Sequence, residues 1–80
     1  MTEKLDPKAR VMYSEGYQGE RDFKVLLKDP SCGEEIKGKY RVKAKQGNIL
    51  ILSLTYSELK NLLKDECVQY VSPAQRLEFK

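Results

Sequence analysis

Histidine is absent from this chain of 80 residues. Without it neither a Ser-His-Asp nor a Cys-His arrangement can be assembled, and a zinc site would have only the two cysteines, Cys32 and Cys67, with no imidazole to complete it. The five glycines match no phosphate-binding loop. These shortages argue against an enzyme: no catalytic residue, metal or cofactor is expected. Two cysteines are also too few for a disulfide scaffold. A single bridge between them is open to the chain, but free cysteines acting as small apolar side chains are the favoured reading. No stretch approaches the ~20 apolar residues that cross a bilayer, and residues 1–10 lack the apolar core of a signal peptide. The expectation is a chain with no membrane partner and no export address, cytoplasmic if it is complete as it stands. An excess of one charge is missing as well. Fifteen Lys and Arg against twelve Asp and Glu leave a net +3, enough to favour an acidic surface but short of the concentrated basic face that nucleic-acid-binding domains carry.

What is present fits one small domain. Hydrophobic residues make up 40% and charged residues 34%, a globular rather than a disordered balance. A domain of this size buries only about 60% of the surface its unfolded chain exposes, so its core is modest. Residues 1–20 read as a partly ordered N-terminal arm. Asp6 is a good helix cap and Pro7 suits the first helical position, so 7–13 could make two turns, but apolar residues are sparse and Gly16 and Gly19 break the chain.

Residues 21–80 read as a single α+β domain. Phe23, Val25 and Leu27 alternate with Asp22, Lys24 and Lys28, which predicts a half-buried strand over 21–28 with Leu26 as the exception. Asp29-Pro30 stops it, and 31–37 can form a short helix ending at Gly38. Tyr40, Val42 and Ala44 then alternate inward against outward Arg41, Lys43 and Lys45. Gln46-Gly47-Asn48 is a hairpin turn signal, followed by a strand over 49–54. In that strand Leu50, Leu52 and Leu54 share one face, and Ile49, Ile51 and Ser53 share the other. Thr55-Tyr56-Ser57-Glu58 is a capping box, preceded by Leu54 and followed by Leu59 as a hydrophobic staple, so a helix starts here with Leu59, Leu62 and Leu63 as its apolar stripe. A short strand over 68–71 ends at Ser72-Pro73. Right-handed crossovers turn this β-α-β-β-α-β order into a ferredoxin-like antiparallel four-stranded sheet with helices on one face and the other face open.

The basic run over 38–45 does not suit RNA. Base stacking needs aromatics on the open face of central strands, whereas Tyr40 alternates inward and only Lys and Arg point out, so no nucleic-acid partner is expected. The adjacent acidic pairs Glu34-Glu35 and Asp65-Glu66 point in different directions and read as solvated surface. An open sheet face without chemistry suits a protein-binding role.

The run Gly47-Asn48-Ile49-Leu50-Ile51, with Leu54-Thr55, Glu58-Leu59, Leu62, Val68, Tyr70-Val71 and Leu77, resembles the propeptide of subtilisin-like serine proteases, the inhibitor I9 family. Leu5-Asp6-Pro7-Lys8-Ala9-Arg10 is similar to the opening of a bacterial branch of those propeptides, and 23–27 falls where their first strand lies. The resemblance implies an intramolecular chaperone and competitive inhibitor of a subtilisin-like protease, in cis or in trans. It implies docking through the sheet face that carries Ile49, Ile51 and Ser53, and a C-terminal tail, Leu77, Glu78, Phe79 and Lys80, laid into the active-site cleft as an added strand. The alternative is a ferredoxin-like interaction or regulatory module with no protease partner, capable of weak self-association through the sheet.

Overall fold

Asp6 caps the first helix by accepting the Lys8 backbone N–H on its carboxylate at 3.0 Å, and Pro7 opens it with a φ already suited to a helix. This helix, α1 (Pro7–Glu15), ends at Gly16 with φ 77°. The structure, a computed structural model, describes residues 4–74. Within the expected arm, the described segment from Lys4 to the end of α1 packs against the sheet and α3. Leu5 is 1% exposed and Ala9 fully buried. The Asp6 N–H donates to the Val71 carbonyl, and Leu5 pairs with Val71 in a single parallel bridge that covers part of an exposed sheet edge. Lys4 Nζ donates to the Leu63 and Asp65 carbonyls at 3.1 and 2.9 Å, where the C-terminal end of a helix favours a cation.

The sheet contains β1 (Glu20–Leu27), β2 (Arg41–Gln46), β3 (Ile49–Thr55) and β4 (Val68–Pro73), in the order β2-β3-β1-β4. Each neighbouring pair is antiparallel. Between β1 and β2 run a 3-10 turn (Pro30–Cys32) and the short α2 (Gly33–Lys39); between β3 and β4 runs α3 (Tyr56–Leu63). This is the expected α+β, ferredoxin-like arrangement, with α1 added before the first strand. The capping box forms as the sequence requires: the Glu58 N–H donates to Thr55 Oγ1, and the Thr55 N–H donates to Glu58 Oε1.

One layer of apolar side chains joins sheet and helices. Phe23, Val25 and Leu27 of β1 and Leu50, Leu52 and Leu54 of β3 point to the helical side, where they meet Ile36, Leu59, Leu62, Leu63, Val68 and Val71. These residues are all buried.

Two features differ from expectation. In β2 the register slips between Val42, opposite Leu52, and Ala44, opposite Ile51, so Lys43 is an extra residue. Beyond this bulge every side chain changes face. Ala44 is exposed on the side away from the helices, and Lys45 turns to the helical side, 3.9 Å from the Glu34 carboxylate. Second, Cys32 and Cys67 are joined in a disulfide with their Cα atoms 5.9 Å apart, instead of remaining free. The bridge ties the start of α2 to the loop before β4. These positions are 35 residues apart, and only the two crossovers lying side by side bring them together.

Candidate functional site

All three α-helices contribute buried residues to one side of the sheet, so among the described residues the other side has only its own side chains to cover it. Cross-strand partners share a face, and the register therefore lays this surface out in rows. The first row is Gln46, Ile49, Leu26 and Tyr70, and the second is Ala44, Ile51, Lys24 and Ser72. The third contains Arg41, Ser53 and Asp22, and beyond it lie Thr55 and Glu20.

The rows differ in chemistry. Leu26, Ile49, Ile51, Ala44 and Tyr70 make the first two mainly apolar; Leu26, Ile49 and Ile51 are half-buried, and Tyr70 is 39% exposed. The far end is a network of charges already matched. Arg41 pairs with Glu20 and lies 3.8 Å from Glu58, Lys43 bonds Asp22 at 3.0 Å, and Ser53 Oγ donates to Glu20 at 3.0 Å. This network extends to α3, because Glu58 is also the capping-box carboxylate.

Of the sequence-derived docking residues, Ile49 and Ile51 lie in the apolar rows. Ser53 shares their face but is only 6% exposed, and its hydroxyl is committed to Glu20. The tail Leu77, Glu78, Phe79 and Lys80 lies outside the described residues. Leu26 and Tyr70 were not picked out by sequence reasoning, although Leu26 was visible as the one apolar residue that broke the alternation of its strand. Ala44 was hidden by the bulge.

A concavity of about 650 Å³ lies between α2 and the end of α3 and includes Glu35, Lys39, Tyr40, Lys64, Asp65 and Cys67 in its wall. Burial raises the pKa of the Tyr40 hydroxyl, and the nearby Asp65 and Glu58 charges add to the effect. Ligand atoms of Glu35, Asp65 and Cys67 come within 4.8 Å of one another, but the Cys67 sulfur is in the disulfide and offers no thiolate to a metal. The wall carries charges of both signs. On the helical side Tyr13, Tyr17 and Tyr56 stack edge to face or tilted over the start of α3. Tyr17 donates its hydroxyl to the Leu54 carbonyl, and its pKa is pushed up to about 12, first by burial and further by Glu58 and Tyr56, against the opposing pull of Arg21. These phenols are packing and hydrogen-bonding groups.

No helix among the described residues is long and apolar enough to cross a membrane. Compared with models of known families, with curated proteins and with solved structures, the chain matches none.

Proposed function

We propose that the chain is a propeptide-like domain that docks on a subtilisin-like serine protease through its uncovered sheet face and acts as folding chaperone and competitive inhibitor. The observation that supports this reading most is the pair of apolar rows. Leu26, Ile49, Ile51 and Tyr70 form a contiguous surface on the sheet, bounded on one side by charges that already satisfy each other. Such a surface resembles an interface core with a polar rim, and contiguous exposed apolar area on a small domain marks a contact site. β4, which supplies Tyr70, ends at Pro73, only a few residues before 77–80 in the chain, and in this role one partner engages both. On this reading Leu77, Glu78, Phe79 and Lys80 add a strand to the protease cleft, where backbone bonds supply affinity and alternate side chains supply specificity.

The test is titration of the chain into a subtilisin-type protease while cleavage of a small peptide substrate is followed, with a variant lacking 77–80 run in parallel. Inhibition that disappears with the tail is the expected result. A chain that leaves substrate cleavage unchanged, or that is itself digested as fast as an unfolded control, counts against this function and favours an interaction module with another partner.

A further inference from the structure

The apolar rows of the uncovered face contain one charge, and it has no counter-ion among the described residues. Lys24 sits on a central strand, opposite Ile51 on one side and Ser72 on the other, with Leu26 and Asp22 next along the same face. The other cations of this face are matched, Arg41 by Glu20 and Lys43 by Asp22. Lys24 is exposed and makes no hydrogen bond or ion pair among the described residues. An occupant that covers Leu26 and Ile51 must also cover Lys24. Removing an ammonium from water without a partner is strongly unfavourable, and Asp22, the carboxylate next along the same face of β1, is already engaged.

We propose that this face docks on a protein surface that presents apolar side chains around one carboxylate set opposite Lys24, and that the same ammonium closes the face to a second copy of the chain. The inference rests on the docking role given to this face above, and not on the partner's being a protease. Its second half follows from symmetry. Two identical faces that close on each other are related by a twofold axis, and a twofold that overlays both patches leaves their midpoint facing its own copy. Lys24 is one of the four inner positions of the two rows, with Ile49, Ile51 and Leu26, so its own copy falls within the same central area. Self-pairing therefore encloses two ammoniums in one central area as water leaves, whereas a foreign surface with an Asp or Glu opposite Lys24 gains a pair in place of that repulsion.

Two variants at this exposed position test the proposal without any knowledge of the partner. Lys24→Met keeps an unbranched side chain one atom shorter and removes the charge; Lys24→Glu supplies the complementary charge. After both are shown to unfold in urea as the wild type does, each chain is sedimented alone, and wild type is sedimented with an equal amount of Lys24→Glu. Wild type and Lys24→Glu should each be monomeric. The mixture should form a mixed dimer, with the introduced carboxylate of one chain facing Lys24 of the other, and Lys24→Met should self-associate. Association in the mixture or in Lys24→Met, with the other two samples monomeric, supports the proposal. A wild type or a Lys24→Glu that dimerises alone overturns it, as does the absence of association in every sample.

A protease titration separates this inference from the function it builds on. Lys24→Glu should inhibit about tenfold or more weakly than wild type. Equal inhibition by both chains refutes the role of Lys24 and leaves the protease reading standing. No inhibition by any chain, together with a mixed dimer, refutes the protease reading and leaves the role of Lys24 standing.

Discussion

Reduction of the Cys32–Cys67 bridge should remove a large share of the stability of this domain. The bridge closes a loop of 35 residues, and the entropy it takes from the unfolded chain corresponds to about 3.8 kcal/mol at 25 °C. Small domains have only roughly 5–15 kcal/mol to lose. Around the bridge little else holds the first crossover: in α2 only Gly33 and Ile36 are buried. With a urea dependence of about 1 kcal/mol/M for a chain of this size, the unfolding midpoint should fall by about 3 M or more. The assay is urea unfolding followed by far-UV circular dichroism, for the oxidised chain, for the chain in excess reductant, and for the double variant Cys32→Ala, Cys67→Ala. The reduced wild type and the double variant should agree to within about 1 kcal/mol, since the alanines remove the cross-link and only two sulfur atoms. A midpoint that stays within about 0.5 M of the oxidised value would show that the bridge does not limit the unfolded ensemble in the way this reasoning requires.

Three further outcomes follow from the packing and the titrating groups. Leu5→Ala should cost about 2–4 kcal/mol in thermal or urea unfolding, because Leu5 is a core residue on the strand-like segment before α1; a cost near zero would return this segment to the status of a loose arm. Thr55→Ala should cost about 1 kcal/mol by removing the acceptor of the Glu58 N–H, and Thr55→Ser should restore most of it. Tyr17 binds its proton more tightly folded than unfolded, so its contribution is complete below its unfolded pKa near 10 and is lost as pH rises toward about 12. Stability should therefore decline over pH 10–12, and Tyr17→Phe should flatten that decline when unfolding midpoints are compared at each pH.

Much of the fold is local and therefore legible in the sequence. The start of α3 is fixed by Thr55 and Glu58, three residues apart, whose side chains satisfy each other's backbone N–H groups wherever the segment lies. The β2–β3 hairpin needs only Gly47, which takes φ 62°, and Asn48 between two alternating runs. The period-two pattern of β1 and β3 assigns Phe23, Val25, Leu27, Leu50, Leu52 and Leu54 to one face, and it likewise sets Ile49 and Ile51 on the other. Strand order then follows from the handedness of the two crossovers.

The remaining features depend on contacts between segments far apart in the chain, and only the tertiary structure decided them. Leu5 and Ala9 carry too weak a periodicity to mark a core segment, and they are buried because β4 and the end of α3 offer them a place. The disulfide joins two loops that meet only after both crossovers have packed. The bulge at Lys43 reverses the faces of Ala44 and Lys45, a one-residue slip that strict alternation cannot express. Leu26 and Tyr70 lie on separate strands and become neighbours in one apolar row through antiparallel pairing, while Arg41 and Lys43 find their acids across the sheet. Composition supplied the charges of the uncovered face; register decided which were matched and left Lys24, between Ile51 and Ser72, without an acid among the described residues.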